Sequence, residues 1–371
     1  MSIESNLKKE GIKVVEELDI IQVDSIAHAI AQRLCFAFEE YNFDFRKLQS
    51  SLASIKMYIA DMPKGFSGAK YFYKNSSIYF NSSIDFSKFS DLALHECIHY
   101  LQEVKDKKGF LIRLGLCDFS GIKVRGMALN EAAVQLITAR ALETEEETVK
   151  YFDITLPTTS PSYYTLECNL VNQMAYITGE YSLFHGTLYS TDEFKDKFIS
   201  LTSEKAYNTI LEYLDSLMYA EDTLIGLNVK LAETNDDTTS EKLNKKIADQ
   251  RKKISDIYIK TQNYILSSYF DDYFKYLETE EDIENYRRKL YNYKDIIGIT
   301  DDYDFYNSYY IEKMTNLEKK YNLLESGESP KLLNEKNVTN SLIVVKNNKF
   351  TSFFKKLKNL LYRSGNEYEK N

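Results

Sequence analysis

The sequence predicts an α+β fold, with a small mixed or antiparallel sheet and its helices in residues 1–202 and nearly continuous helix through residues 203–326. Three observations carry that expectation. Residues 54–81 hold three short runs rich in β-branched and aromatic side chains, separated by turn-forming residues. Between residues 92 and 189, apolar side chains recur at helical spacing. Only 4 prolines and 13 glycines occur among 371 residues, so long helices meet few breakers.

Composition narrows the function classes. A chain of 371 residues is long enough for two domains. Hydrophobic residues at 43% and charged residues at 28% describe a soluble globular chain. A formal charge of −9 and a pI near 5.3 leave no basic footprint, which argues against a nucleic-acid partner. Residues 1–17 alternate charges without the apolar stretch of a signal peptide, and no apolar run reaches the roughly 18 residues of a spanning helix. Cys35, Cys97, Cys117 and Cys168 have neither metal spacing nor disulfide density, so free thiols and a cytoplasmic setting are expected.

Taken in order, residues 1–17 are polar and expected to fray. From about residue 23 to 40, Ile26, Ala29, Ile30, Leu34 and Phe38 mark the apolar face of a helix, with His28 in it as a structural residue. Residues 54–60 alternate apolar and polar and read as a strand. Residues 69–73 and 77–81 flank Lys74, Asn75 and Ser76 as a hairpin. A strand just upstream of a catalytic helix can offer its edge to an extended peptide. Asp85 and Ser87 are cap candidates for the helix after them.

That helix carries His95-Glu96-Cys97-Ile98-His99. Residues four apart share a helix face, so His95 and His99 can offer two imidazoles to one metal ion. Glu96, one step round, can reach a water bound there. This is the zinc-peptidase arrangement of two histidine ligands and a carboxylate base. The helix should stop near Gly109, and residues 110–126 read as loop. Residues 127–142 are helical by composition. Glu131 sits near the start of that second helix among small apolar neighbours, where an unpaired carboxylate would be expensive and a metal ion would account for it.

His95-Glu96-x-x-His99 followed by Asn130-Glu131-Ala132 resembles the gluzincin metallopeptidases. The resemblance covers roughly residues 54–200 and implies a zincin-like domain that hydrolyses a peptide or protein substrate. It further implies Zn2+ held by His95, His99 and Glu131, with Glu96 as general base. Thirty-one residues separate His99 from Glu131, more than in the thermolysin-like branch, so no subfamily is assigned. Gln135 stands where that branch has an aspartate that buttresses a histidine; an amide can accept the same hydrogen bond without the charge. The other nearby oxygen donors, Glu103, Asp106 and Asp118, lack the apolar helical setting and adjacent asparagine of Glu131. Gluzincins also stabilise the oxyanion with a His, Tyr or Arg downstream of the third ligand. His185 is the one histidine in that region and the first choice, with Tyr164, Tyr181 and Tyr189 as competitors. The rival from another class is a catalytically silent zincin-fold scaffold whose helical region binds a protein partner; Glu96 argues against it, because a scaffold needs no base.

Residues 143–148 read as a solvated acidic helix end and 157–161 as loop, followed by helices over 164–177 and about 183–189. Past residue 203 the chain turns Tyr-, Lys- and Glu-rich, with helices over 204–232, 240–278 and 279–325 that read as a bundle. The expected domains are therefore 1–202 (core about 23–200), 203–326, and 327–371 as linker plus a basic amphipathic segment. In the last part, residues 341–345 read as a strand. Phe353, Phe354, Leu357, Leu360 and Leu361 share a helical face among lysines, a face suited to a peripheral membrane or protein contact.

Overall fold

The structure, a computed structural model, describes residues 7–9, 11–63, 68–119, 124–300 and 305–330. The expected strand at 341–345 and amphipathic segment at 353–363 lie outside these. Helix predominates over strand in the mixed α+β arrangement expected. Two compact units emerge, one of residues 1–272 with 290–308, the other of residues 273–289 with 309–371.

In the first unit, β1 (Lys13–Glu17), β2 (Lys56–Asp61), β3 (Ala69–Phe72) and β4 (Ser77–Asn81) form a sheet of order β1-β2-β4-β3. The pairings β1–β2 and β3–β4 are antiparallel and β2–β4 is parallel, so β3 is an edge strand. Residues 13–17 were expected to fray and instead pair with β2. All their side chains are exposed, so no apolar alternation announces the strand, and backbone pairing alone holds it. Helices α1 (Ile20–Ala37) and α2 (Phe45–Leu52) pack on each other, α1 starting at an Asp19–Gln22 capping box.

The motif helix α3 (Phe89–Leu101) lies against β3 and β4, with Phe89 stacked on Phe80 at a 4.2 Å centroid distance. It ends eight residues before the expected stop at Gly109, because the charged tail pairs as strand instead. β5 (Glu103–Lys105), β6 (Leu111–Leu114) and β7 (Cys117–Asp118) make a small antiparallel sheet, β5 where the helix was expected to continue and β6 and β7 where a loop was expected. Helix α4 (Met127–Ala141) follows as expected. The acidic run after it enters a hairpin of β8 (Glu147–Tyr151) and β9 (Ile154–Thr158), not a helix end. Its two turn residues, Phe152 and Asp153, have φ of 49° and 63°, the left-handed pair of a tight hairpin turn.

Next come α5 (Thr165–Thr178), α6 (Glu180–Leu188), α7 (Glu193–Leu201), α8 (Glu204–Ala232) and α9 (Asp237–Lys275). The first unit runs well past residue 202 and takes in α8 and most of α9. Two sets of contacts explain this. The Asp215 carboxylate on α8 accepts from the amides of Gly126 (3.2 Å) and Ala128 (3.0 Å), capping α4. A buried polar network ties α9 to α5. Tyr258 donates to Asn169 at 2.6 Å, Gln173 donates to Gln262 at 3.0 Å, and Gln262 exchanges two bonds with Gly298. Each member has its partner, so little is lost by burying them.

The second unit comprises the end of α9, most of α10 (Glu280–Tyr293) and most of α11 (Phe305–Glu325). Its core holds Tyr286 against Phe274, with Lys320 buried, its ammonium 4.6 Å from the Phe274 ring centroid. Burial pushes Lys320 down to about 8. No helix among the described residues is long and apolar enough to cross a membrane. All four cysteines are free.

Candidate metal centre

Two helices bring the candidate ligands together, and each does so through its sequence pattern. In α3, Ala93, Leu94, Cys97 and Ile98 are buried, which leaves His95 and Glu96 half-buried beside them and His99 buried at the α4 side. In α4, Ala128, Leu129, Ala132, Ala133, Val134 and Ile137 are buried, and the small alanines let α3 approach. Glu131 and Gln135, one turn apart, both reach His95.

The result is a triangle of ligand atoms. His95 Nε2 lies 3.1 Å from His99 Nε2 and 3.3 Å from Glu131 Oε2, and His99 Nε2 lies 3.4 Å from the same oxygen. Ligands about 2.0–2.2 Å from a shared tetrahedral centre lie roughly 3.3–3.6 Å apart, so the three donors are spaced to hold one small metal ion. His95, His99 and Glu131 are the group among the described residues whose ligand atoms converge in this way.

The outer partners fix which nitrogen faces inward. His95 Nδ1 lies 3.0 Å from Gln135 Oε1, and His99 Nδ1 lies 3.3 Å from Gln102 Oε1. The orientation of Gln102 is settled by its other contacts, since its Nε2 donates to the Thr187 carbonyl at 3.0 Å. Both Nδ1 atoms therefore donate to amide oxygens, and both Nε2 lone pairs face Glu131. Three acceptors facing one another repel unless a cation or a proton lies between them. Asn130 completes the shell. Its Oδ1 accepts from Leu116 N at 3.0 Å and its Nδ2 donates to Gln102 at 3.3 Å. The roles of Gln102 and Asn130 were not read from the sequence.

Electrostatics follow the same geometry. Burial by itself would lower His99, but the Glu131 carboxylate beside it outweighs that and lifts it from 6.5 to about 9. Burial would raise Glu131, but the two imidazoles outweigh it and hold the carboxyl well below its usual range. The competing oxygen donors are engaged elsewhere. Glu103 pairs with Lys105 at 2.5 Å, Asp106 caps the turn at Lys108 and Phe110, and Asp118 is exposed on a strand whose backbone pairs with Arg125, outside the converging group.

Glu96 is held from the opposite side. Its Oε2 accepts from the Tyr71 amide of β3 at 2.5 Å. The Gly68 carbonyl accepts from Asn81 N, and hydrogen-bonded pairs alternate along an antiparallel ladder, so the Tyr71 amide faces away from β4 onto the outer edge of β3. Tyr164, the residue before α5, has φ of 50°, and its ring lies 6.2 Å from that of His95, nearly parallel at 17°. Its hydroxyl lies near the Glu131 carboxylate. Burial, with Glu131 and Glu96 adding to it, pushes the phenol well above 10, so it stays a donor. His185 is placed differently. Its Nδ1 lies 2.6 Å from Glu193 Oε2, and its ring packs among Tyr41, Tyr181 and Tyr189. Compared with known proteins, the chain matches no family model, no curated protein and no solved structure.

Proposed function

We propose that this chain is a zinc-dependent metallopeptidase, with His95, His99 and Glu131 holding the metal and Glu96 as general base. The observation that supports this most is the combination of three convergent donors at 3.1–3.4 Å with a carboxylate, on the same helix, bound to the outer edge of a strand. Zinc held there would supply Lewis acidity, lowering the pKa of a water and polarising a carbonyl. The protein groups do the rest. Glu96 takes a proton from the attacking water and passes it to the nitrogen that leaves, so one carboxylate serves as base and then as acid. The Tyr71 amide orients that carboxylate. Tyr164 is the better candidate for donating to the developing oxyanion, in place of His185, because its hydroxyl already lies beside Glu131. β3 is the terminal strand of its sheet, the position at which an extended peptide substrate can pair.

The test uses purified, zinc-loaded full chain and a peptide library read by mass spectrometry. Glu96→Gln should keep zinc content and fold while hydrolysis drops by orders of magnitude. Tyr164→Phe should lower kcat by about 10²–10³-fold, the usual effect of one lost oxyanion donor, with smaller change in KM. Parent protein that binds zinc yet cleaves nothing, or Glu96→Gln as active as the parent, would leave the metal-bearing scaffold as the better reading.

A further inference from the structure

The metal centre leaves one buried acidic pair unexplained. Glu167, in the first turn of α5, is completely buried. Across from it, Glu221 of α8 turns its Oε1 away from solvent. Written as two carboxylates, both oxygens of Glu167 and Oε1 of Glu221 lack a hydrogen-bond donor among the described residues. No lysine, arginine or histidine pairs with either of them there. Two such carboxylates side by side could not both stay charged, since like charges buried without a cation repel each other as well as losing their solvation. With a single proton between them one carboxyl donates to the other, which gives a partner to one oxygen of each and removes one of the two charges.

We propose that Glu167 and Glu221 share one proton, fastening α8 to the first turn of α5, and that the fastening loosens as pH rises. The turn held in this way is the one that Tyr164 precedes, three residues before Glu167. The proposal does not depend on what the metal centre does. Every titratable neighbour favours retention of the proton. Asp222 on α8 adds negative charge at the exposed rim, and Tyr151 of β8, Tyr164 and Cys168 bring no positive charge. Burial first pushes both carboxyls above the ordinary range; Glu167 raises Glu221 further, while the bond from Glu221 offsets part of the rise at Glu167.

The sign is fixed by linkage. Unfolded, both carboxyls lose their protons near pH 4.5. Folded, the pair keeps one, so folding takes up a proton and stability falls as pH rises from there until that last proton leaves.

The test is denaturant unfolding of the full chain at constant ionic strength with a chelator, from pH 5 to 9, for the parent, Glu221→Gln and Glu167→Gln. Each glutamine variant can keep the inter-helix bond without the shared proton. The parent should take up about one more proton on folding near pH 7 than either variant, seen as a steeper decline of the midpoint with pH. The same pH dependence in all three proteins would overturn the proposal. So would restoration of the parent's high-pH stability by added Mg2+ or Ca2+, lost in the variants, since that would mark a cation seat. If neither variant folds, the infrared carbonyl band of the parent decides. A protonated-carboxyl band persisting at pH 7 supports the shared proton, and its absence excludes it.

Discussion

Gly115 is remote from any metal ligand by sequence, yet its replacement should reach the metal. It lies in the tight turn between β6 and β7 with φ of +55°. A Cβ there would sit 2.1 Å from Asn130 Oδ1 and 2.5 Å from Gln102 Nε2. Side-chain ends can often move aside, but these cannot do so freely. Both residues are buried, and each is held by further bonds, Gln102 to the Thr187 carbonyl and Asn130 to Leu116 N. Gly115→Ala therefore adds left-handed backbone strain of about 1–2 kcal/mol. It also breaks bonds of two buried amides at about 1–3 kcal/mol each. Partial relaxation leaves an expected loss of roughly 3–5 kcal/mol. Because Gln102 orients His99, metal affinity should fall by about 10–100-fold, the usual effect of losing an outer-shell partner. Denaturant unfolding of the metal-free protein reads the first quantity, and competition with a coloured chelator reads the second. A variant with parental affinity and parental stability would refute the reasoning, because the Cβ cannot be placed without moving Gln102 or Asn130.

The cluster itself yields two further expected outcomes. Removing the third donor with Glu131→Ala should cost orders of magnitude in zinc affinity, whereas Asp118→Ala, at an exposed position, should cost little; isothermal titration of both would separate them, and equal losses would count against Glu131 as a ligand. Metal affinity should also rise with pH. His99 carries its proton up to about 9 in the metal-free protein, and only the neutral ring can bind, so apparent affinity should climb about tenfold per pH unit from 7 to 9 with one proton released. Without metal the sign reverses: the stability that the His99–Glu131 contact provides is complete below pH 6.5 and lost as pH rises through about 9. Affinity that is flat over this range would show that His99 does not bind.

The helices and the metal triad were legible because their signals are local. Leu94, Cys97 and Ile98 keep helical period around His95 and His99, and the alanines flanking Glu131 leave a carboxylate in an apolar setting. Strands β2, β3 and β4 were legible from their aromatic and β-branched runs, whereas β1, β5 and β8 were not, because they are more polar runs whose order comes from backbone pairing with their partners. The outer shell was hidden for a similar reason. Gln102 reads as an ordinary helix-end residue, and only the 28 residues to Asn130 and the 85 to Thr187, folded back together, give it a role.

The expected boundary near residue 202 follows the change in composition, but the physical coupling does not stop there. Asp215 supplies a carboxylate to amides at the start of α4, four residues before Glu131, and a helix N-terminus is where a negative charge stabilises most. Glu221 lies on the same helix, opposite the turn that Tyr164 precedes. One helix from the Tyr- and Lys-rich region thus meets the start of α4, which carries Glu131, and the first turn of α5, which follows Tyr164. A polar composition on α8 does not mark an appendage. Its acidic residues at 215 and 221 meet the start of α4 and the first turn of α5 inside the first unit.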